Sequence, residues 1–450
     1  MLLVQEFLKN HTFGELIEKH GVYPSFSKSG HKFNLNYDMI EAQETDLLSQ
    51  ECRGLILSAM DGSSFLSLAK IVNDKPNYNH ICPGDTVVLA YPMNRFFNYG
   101  QGCAVNIDWN DKNLSIMEKL DGTLIIVYYD MFTKQWCAAT RAVSEADLIM
   151  DNGIFTFRTL FEKALKDTSG KTFEEFANEL NKNITYCFEL TTPYNRIVVD
   201  YKECKVALIS ARHIHSNKEF NLCGPSYSFA WISKDKAMNS YFVSDKNKEY
   251  IASLNMPDDK EMLFPVPNDL CGVPYVRTYK YNSISELLDW VSSLNPMENE
   301  GVVVMDADFN RIKIKNANYV AANKMRDNLG ASERNCVEVI LHEKEDDIIP
   351  LLPEEIVKNL LRIKRGLQQA IKDYDNVYAE AKAKADSLSK GDRRTFALLV
   401  TENKEFWTAP FFAIFGGKAV NMKDFIMKNK KDGSWSDSFL DKLLEMANKK

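Results

Sequence analysis

The sequence predicts an α+β domain over residues 1–325, followed by an all-α domain over residues 326–450. Short runs rich in β-branched and aromatic residues recur between about residue 50 and residue 215: GLILS, TVVLAY, TLIIVYY, RIVVDY and KVALIS. After about residue 325 such runs become rare, and apolar residues recur at helical spacing. A chain of 450 residues is also too long for one compact core, which favours two or three domains.

The helices of the first domain are predicted from caps and periodicity. Residues 1 to about 20 have the pattern of an amphipathic helix that ends at Gly21. Residues 151–183 carry apolar side chains at helical spacing. In SISELLDWVSSL, Ser283 and Glu286 have the spacing of a capping box.

The end of the first domain and the second domain are predicted from similar signals. Residues 216–285 are polar with weak periodicity, and we interpret them as an insertion. The runs GVVVMD and RIKIKN that follow are predicted strands. Pro353 then begins a long helix, whose predicted inward face is Ile356, Leu360, Ile363, Leu367 and Ile371.

Composition and charge narrow the class of protein. The chain is 45% hydrophobic and 26% charged, which is ordinary for a globular protein. Its net charge of -7 gives no global basic field, so a nucleic-acid partner requires a local basic groove. Nine cysteines without a C-x-x-C pair predict a reducing compartment. No leader and no membrane-spanning run is evident, so we expect an intracellular protein without membrane contact.

The run RIKIK carries an unusual row of positive charges. Side chains alternate between the two faces of a strand, so Ile312 and Ile314 would face a core. Arg311, Lys313 and Lys315 would share the other face. Three neighbouring cations require either a solvated edge or an anionic ligand. The strand alone does not decide between these two interpretations.

Other residues suited to phosphate chemistry lie in short motifs along the first domain. Each has a structural interpretation as well: the DG of EKLDG suits a hairpin turn, and the glutamates suit a solvated surface. Their order is more informative than any single motif. In chain order they are Arg53 in ECRG, Arg95 in PMNRFFN, Lys119 in EKLDG, Arg141 in TRAV, Glu189 in CFELT and Glu300 in ENEG, followed by RIKIK.

With this series the chain resembles the covalent nucleotidyltransferases, which comprise DNA ligases, RNA ligases and mRNA-capping enzymes. Within them it is most similar to the family of the first RNA ligase of T-even bacteriophages, the tRNA-repairing type. The resemblance covers most of the chain, including ECRG, FELTTPYNRIV, EGVVVM, KIK and DRRTFA. Two departures are Arg95, where this family has lysine, and residues 216–285, which exceed the usual length. The resemblance implies an adenylation domain of antiparallel sheets with flanking helices.

The resemblance implies that Lys119 attacks the α-phosphate of ATP and carries AMP. Lys313 and Lys315 would hold that phosphate. Together with Arg53 they would lower the pKa of the attacking lysine through like-charge repulsion. Asp121 and Gly122 would shape the turn that presents Lys119.

The remaining implied roles concern nucleotide and metal. Arg53 and Arg95 would hold sugar and phosphates, Arg141 would contact a phosphate, and Phe97 would stack on the nucleotide or pack beside it. Glu189 and Glu300 would orient the ribose or bind Mg²⁺ or Mn²⁺. In the same comparison, Tyr319 matches a tyrosine needed for activity. Asp346, in EKEDDII, falls where the family has a metal-linked aspartate.

The implied function is an ATP-dependent RNA ligase that joins 5′-phosphate and 3′-hydroxyl ends, with a nicked tRNA anticodon loop as the expected substrate. The helical domain would bind this RNA. Its cations suit either a basic RNA-binding face or a solvated helix surface: Lys358, Arg362, Lys364, Arg365, Arg393 and Arg394. We expect a monomer in the cytoplasm, encoded by a virus and acting in its host.

Two alternatives remain open from the sequence. DNA ligases and capping enzymes usually continue past K-x-K into a small β-barrel, whereas this continuation has a helical pattern. A catalytically silent RNA-binding protein could keep the same fold. The retained lysines and glutamates argue against that second alternative.

Overall fold

The computed structural model describes residues 1–72, 75–111, 114–147, 154–220, 230–233, 261–264, 269–342, 348–349, 352–389, 392–402, 406–431 and 434–449. The chain divides into two compact units, Met1–Tyr319 and Val320–Lys450. The α+β fold class and the helical C-terminal region are confirmed. Each unit is described by itself.

The described strands belong to unit 1. In chain order they are β1 Val22–Phe26, β2 Lys32–Tyr37, β3 Arg53–Ala59, β4 Lys70–Val72, β5 Lys75–Asn77, β6 Thr86–Ala90, β7 Phe97–Asn98, β8 Ser115–Lys119, β9 Thr123–Asp130, β10 Gln135–Ala139, β11 Ile184–Thr191, β12 Lys205–His213, β13 Ala230–Ser233, β14 Glu261–Phe264, β15 Asp269–Leu270, β16 Val273–Pro274, β17 Thr278–Tyr279, β18 Gly301–Met305 and β19 Arg311–Lys315.

The α-helices run through both units. In unit 1 they are α1 Leu3–Leu8, α2 Phe13–His20, α3 Leu47–Glu51, α4 Phe157–Ser169, α5 Phe173–Ala177 and α6 Ile284–Ser293. Helix α7, Ala317–Ala331, begins in unit 1 and continues into unit 2. Unit 2 then contains α8 Glu333–Leu341, α9 Glu354–Ser389, α10 Arg393–Glu402, α11 Ala409–Phe415, α12 Met422–Lys428 and α13 Asp437–Asn448. Short 3-10 helices lie at Leu66–Leu68 and Pro193–Asn195.

Three larger sheets organise unit 1. One has the order β1-β2-β3-β6. We call the five-stranded sheet β17-β8-β18-β19-β7 the lysine sheet, and the sheet β10-β9-β11-β12 the glutamate sheet. Within the lysine sheet only the β19–β7 pair is parallel. Strand β17 shows that the end of the 216–285 region belongs to this sheet, because Thr278 pairs with Met117.

Helices pack on one face of each of these two sheets. Leu287 and Val291 of α6 lie in one core with Ile116, Val302 and Ile314 of the lysine sheet. On the glutamate sheet, α4 contributes Leu160, Phe161, Ala164 and Leu165 to a core that contains Ile125 and Phe188. The alternation predicted for RIKIK holds, since Ile312 and Ile314 are buried in the α6 core. The opposite face of the lysine sheet is therefore available for a site.

The strand prediction for RIVVDY is wrong. Residues 196–201 form no strand in this structure. The backbone N–H groups of Val198 and Val199 donate instead to one carboxylate oxygen of Asp121, at 2.9 and 2.8 Å. Because a strand needs such donors for its ladder, the contact with Asp121 replaces β pairing here.

Two predicted helices are also shorter than the sequence indicates. The N-terminal helix is divided into α1 and α2, and the described part of 151–183 forms α4 and α5. Thr12 is the N-cap of α2 and Thr172 is the N-cap of α5, each with a capping box. A threonine at the N-cap accepts a hydrogen bond from a backbone N–H group of the first turn. This stabilises the start of a new helix at that point and interrupts the longer helix that the sequence predicts.

In unit 2 the described residues form helices without strands, and the long predicted helix is α9. Its residues Leu360, Ile363 and Leu367 are buried, as the periodicity predicts. No helix in the described ranges has the length and apolar character needed to span a membrane. The eight cysteines in those ranges are free thiols.

Candidate active site

Lys119 lies in a row of residues that crosses three strands of the lysine sheet. Gly301 of β18 pairs with Lys119 of β8 on one side and with Lys315 of β19 on the other. Glu300, buried just before β18, contacts both lysines: its Oε2 lies 2.7 Å from Lys119 Nζ and its Oε1 lies 2.8 Å from Lys315 Nζ. One carboxylate therefore fixes the two ammonium groups relative to each other.

Lys313 lies one row further along the same face, opposite Val303. Its Nζ lies 5.0 Å from the ring centroid of Phe96. Burial lowers the pKa of Lys313 to about 7, and repulsion from Lys119, Arg53 and Lys315 adds to the shift. The strand of the cation row lies inside the sheet and is not a solvated edge, and the cations that repel Lys313 are Lys119, Arg53 and Lys315.

The turn after Lys119 is fixed by close packing. A Cβ on Gly122 would lie 2.3 Å from the carbonyl oxygen of Leu190 in β11, so only glycine allows this approach. The DG dipeptide is not a hairpin turn, because β8 and β9 belong to different sheets. The turn instead carries the chain from the lysine sheet to the glutamate sheet.

Asp121 is buried and holds the turn through both carboxylate oxygens. Its Oδ2 accepts the Val198 and Val199 N–H groups, and its Oδ1 accepts the Tyr319 hydroxyl at 2.6 Å. The Asp121 N–H donates to the hydroxyl of Tyr201 at 3.1 Å. Sequence reasoning missed Tyr201, which lies in the run misassigned as a strand. These contacts make Asp121, Tyr201 and Tyr319 positioning residues.

A cavity of about 550 Å³ lies between the two sheets and is lined by Lys119. The lysine sheet contributes Met117 and Val303, and the glutamate sheet contributes Leu124, Glu189 and Ile209. This volume is in the range of small-molecule sites, and the apolar wall suits a planar base. Phe96, which the sequence analysis did not select, is one of two phenylalanines that line this cavity and the one that lies near Lys313; the other is Phe157.

Glu189, on β11, faces the same cavity. Burial raises the pKa of Glu189 to about 7; Lys119 opposes the shift, whereas Glu300 and Asp121 add to it. In the part of the chain that the structure describes, its carboxylate has no hydrogen-bond or ion-pair partner. Such a half-buried carboxylate is suited to binding a hydroxyl group or a cation.

Two arginines line the cavity from other elements. Arg53 begins β3, and Arg141 follows β10. The Arg53 guanidinium lies 5.6 Å from the Phe96 ring centroid, and its buried Nη1 has no partner among the described residues. Burial lowers the pKa of Arg53, and the nearby Arg141 contributes to the shift. A ligand with negative charge would satisfy this buried donor.

The structure does not bring all predicted residues to this cavity. Arg95 and Phe97 line a second cavity, and the Arg95 guanidinium lies 4.4 Å from the Tyr37 ring centroid and 5.1 Å from that of Phe97. Phe97 is buried beside Arg95 and belongs to strand β7. Asp346 lies outside the described residues.

The predicted metal ligands fit a divalent cation only in part. Within the described ranges, no group of three or more His, Cys, Asp or Glu side chains is arranged to hold a metal. Both oxygens of Glu300 contact lysines, which leaves Glu189 as the carboxylate that suits a metal. Magnesium sites commonly use one or two carboxylates with water and substrate phosphates, so Glu189 is compatible with that mode.

Comparison with known families agrees with the motif series. A family model described as RNA ligase matches residues 51–319, which contain Arg53, Lys119, Glu189, Glu300 and the RIKIK strand. The chain belongs to the RNA ligase family. The matched region ends at Tyr319, the last residue of unit 1.

Individual relatives are distant. An RNA ligase of Rhodothermus phage RM378 is 25% identical over 75% of this chain and 79% of its own length. A putative bifunctional polynucleotide kinase/RNA ligase of Autographa californica nuclear polyhedrosis virus is 24% identical over 78% of this chain, which spans only 42% of that protein. The solved structure of an archaeal ATP-dependent RNA ligase is 13% identical, with 70% of this chain and 63% of that chain covered and a TM-score of 0.36.

The environment of Lys313 predicts a stability effect that depends on pH. Lys313 binds its proton more weakly in the folded chain than in the unfolded chain, so its contribution to stability grows between pH 7 and about pH 10 and is lost below pH 7. We expect Lys313→Met to raise the free energy of unfolding at pH 7 by roughly 1–3 kcal/mol. The gain shrinks towards pH 10. Denaturant unfolding at several pH values measures it.

The exposed Lys28, whose side chain is 85% accessible, provides the matched control. Lys28→Met should change stability little and by the same amount at each pH. A Lys313→Met gain that is absent at pH 7, or that grows with pH, would show that the Lys313 ammonium is not destabilised in the folded chain.

Proposed function

We propose that the protein is an ATP-dependent RNA ligase that joins 5′-phosphate and 3′-hydroxyl RNA ends through lysyl-AMP and RNA-adenylate. The observation that carries this proposal is the position of Lys119. Its amine lies at a cavity between two sheets, beside Glu300, with Lys313, Lys315 and Arg53 around it. Family membership supports RNA ends as the substrate.

The first step is attack by the Lys119 nitrogen on the α-phosphorus of ATP. A phosphorus–nitrogen bond forms, the bond to the bridging oxygen breaks, and pyrophosphate leaves. The attacking amine must be neutral, so the ion pair between Lys119 and Glu300 has to open before attack. Lys315 lies in the row of Lys119 and Lys313 lies in the next row, so both can offer positive charge to the phosphate oxygens in the transition state.

Two further transfers complete the proposed reaction. The 5′-phosphate of RNA attacks the phosphorus of lysyl-AMP, which releases Lys119 and forms an RNA-adenylate. The 3′-hydroxyl of the second RNA end then attacks the 5′-phosphate, and AMP leaves. Both displacements require the same cation cluster to hold charge on the phosphate oxygens.

The nucleotide and a divalent cation would bind within the same cavity. Phe96 and the apolar wall suit the base, Glu189 suits a ribose hydroxyl or the cation, and Arg53 with Arg141 suits phosphates. Mg²⁺ or Mn²⁺, when bound, would neutralise phosphate charge. Among the protein carboxylates, Glu189 would be the ligand of the cation, because both oxygens of Glu300 already contact lysines.

We further propose that unit 2 binds the folded RNA, with a broken tRNA anticodon loop as substrate. The helical character of unit 2 supports an RNA ligase over the ligases and capping enzymes that continue into a β-barrel. Two of its predicted basic residues are already paired, Lys358 with Glu354 and Arg362 with Glu333. The viral origin of the relatives supports a virus-encoded enzyme, for which we propose a monomer acting in the host cytoplasm.

Labelling with α-labelled ATP tests the proposal directly. We expect the intact chain, incubated with ATP and Mg²⁺, to acquire a covalent label that maps to the peptide containing Lys119. Addition of 5′-phosphorylated RNA should remove the label and give joined product. Labelling with GTP and sealing of nicked DNA serve as comparison reactions. Absence of a covalent label, or a label on another lysine, would contradict the mechanism.

The contact of Glu300 with two lysines predicts a large kinetic effect. In Glu300→Gln the single amide oxygen cannot hold both ammonium groups, and the amide nitrogen repels one of them. We expect the rate of lysyl-AMP formation to fall about 100-fold, the size of loss that a misplacement of about 1 Å can cause. Single-turnover labelling measures the rate.

Glu298→Gln is the matched control, because Glu298 is exposed and accepts a hydrogen bond from Asn295 on the surface. It should label at the rate of the unmodified chain. Equal rates for Glu300→Gln and Glu298→Gln would exclude a role of Glu300 in positioning Lys119.

A further inference from the structure

Tyr194 lies on a segment that is attached to the turn of Lys119, yet the mechanism above gives it no role. It belongs to the 3-10 helix that follows β11. The next residue, Asn195, donates from Nδ2 to Oγ1 of Thr123 at 2.9 Å, and Thr123 lines the Lys119 cavity. Further along, the same segment donates its two backbone N–H groups to Asp121. These contacts fix the position of Tyr194 relative to the nucleophile.

The Tyr194 side chain is not used to hold the fold together. It is 45% exposed, and within the residues that the structure describes its hydroxyl has no hydrogen-bond partner. The Phe155 ring lies beside it, with the two centroids 5.0 Å apart and the ring planes inclined by 53°. Rings inclined in this way do not lie flat on each other, so part of the tyrosine face stays open to solvent.

Both aromatic residues are close in sequence to the wall of the Lys119 cavity. Phe157, two residues after Phe155, is the first residue of α4 and lines the cavity. Ile197, three residues after Tyr194, lines it as well. Because Tyr194 is exposed while its neighbours face the cavity, the two rings lie at the rim. We call Tyr194 and Phe155 the rim pair.

The surroundings of the rim pair favour a nucleic acid over a protein partner. Arg196 follows Tyr194 by two residues, and its Nε donates to the carbonyl oxygen of Val198 at 3.0 Å. No carboxylate of the described chain pairs with Arg196. An open aromatic ring beside a cation is the combination that binds single-stranded nucleic acid. A stable protein interface buries about 800 Å² on each partner, far more than two side chains offer.

We propose that Tyr194 stacks on the base of the terminal nucleotide of an RNA end, with Phe155 supporting its ring. The proposal rests on the proposed function, which brings two RNA ends to the phosphate at Lys119: one with a 5′-phosphate and one with a 3′-hydroxyl. The base of either terminal nucleotide is attached next to the reacting group, so it must lie near the rim of the cavity. Every base has a face that can stack, so the contact would hold the end without sequence preference.

Binding of RNA to the full chain, without ATP or metal, tests the stacking and identifies the end. Fluorescence anisotropy compares three internally labelled single-stranded RNAs of one sequence, each with a 5′-phosphate and a 3′-hydroxyl. The first is intact, the second lacks the base of its 5′-terminal nucleotide, and the third lacks the base of its 3′-terminal nucleotide. Because no chemistry occurs, the result does not depend on whether the chain forms lysyl-AMP.

Two variants of Tyr194 separate the ring from the hydroxyl. Tyr194→Ala removes the ring, and we expect it to weaken binding of the intact RNA about tenfold, as loss of one base–aromatic stack does. Tyr194→Phe keeps the ring and should bind like the unmodified chain. Both variants should fold, because the side chain is exposed and its hydroxyl holds no other residue. On the RNA that lacks the stacked base, Tyr194→Ala and the unmodified chain should bind equally.

Tyr23→Ala is the matched control, because Tyr23 is 40% exposed, lies on β1 of another sheet and does not line the Lys119 cavity. The RNA on which the Tyr194→Ala effect disappears identifies the stacked end.

Three results would overturn the proposal. Tyr194→Ala could bind intact RNA as tightly as Tyr23→Ala, it could lose the same affinity on all three RNAs, or Tyr194→Phe could lose as much as Tyr194→Ala. The rate of AMP labelling provides a further check, since Tyr194→Ala should label at the rate of the unmodified chain. Slower labelling with unchanged RNA binding would place the ring at the nucleotide of ATP instead of at RNA.

Discussion

Lys119→Arg is expected to abolish covalent AMP uptake while the chain still seals RNA that already carries a 5′-adenylate. Arginine keeps a positive charge beside Glu300, so the ion pair and the fold should survive. A guanidinium stays protonated and cannot act as the nucleophile. Sealing of adenylated RNA does not require an amine, and it therefore reports on the rest of the site.

Lys28→Arg is the control for this experiment, because it makes the same change on the surface. It should take up label like the unmodified chain. If Lys119→Arg takes up label at a comparable rate, another residue is the nucleophile. If it also fails to seal adenylated RNA although folded, Lys119 has a role that the proposed sequence of steps does not contain.

Local patterns in the sequence predicted the face of the sheet that carries the site. Alternation in RIKIK separates the buried Ile312 and Ile314 from Lys313 and Lys315 because strand geometry depends only on neighbouring residues. The same holds for Ser283, whose side chain caps α6 by accepting the Glu286 N–H. Such signals need no knowledge of tertiary structure.

The failures come from contacts between residues far apart in the chain. Asp121 takes the N–H groups of Val198 and Val199, and no local pattern shows that an apolar run will lose its strand pairing to a carboxylate more than 70 residues away. Likewise Arg311 was expected in the cation row, but its pairing with Glu219 across 92 residues was not. Glu219 lies at the edge of a region interpreted as an insertion.

The sequence predicts that neighbouring cations lower a lysine pKa more readily than it predicts which lysine is affected. Repulsion by neighbouring cations was predicted for Lys119. At Lys313, burial lowers the pKa, and repulsion from Lys119, Arg53 and Lys315 adds to the shift. Which lysine has its pKa lowered depends on burial, because burial is the largest cause of the shift at Lys313. The positions of Arg95 and Phe97 also depend on the three-dimensional fold. Both residues line the second cavity, whereas Phe96 between them lines the second cavity and the cavity of Lys119.

Gly301→Ala is expected to destabilise the lysine sheet and to remove activity together. Gly301 has a φ of +143°, and a Cβ there would lie 2.1 Å from the carbonyl oxygen of Ile314 and 2.9 Å from the Cα of Lys315. Both obstacles are backbone atoms, so β18 and β19 would have to separate. We expect a loss of about 3 kcal/mol or more in the free energy of unfolding, from backbone strain and broken pairing.

Separation of these strands would also disrupt the site, because Gly301 pairs with Lys119 and with Lys315. The midpoint temperature of thermal unfolding and the extent of AMP labelling, measured on the same preparation, should therefore both decrease. Gly102→Ala is the matched control, since a Cβ on Gly102 meets no heavy atom within 4 Å and its φ is not positive. A stable Gly301→Ala chain that labels normally would show that the glycine is not needed for the Lys119–Lys315 spacing, and the link between sheet geometry and phosphate chemistry would have to be abandoned.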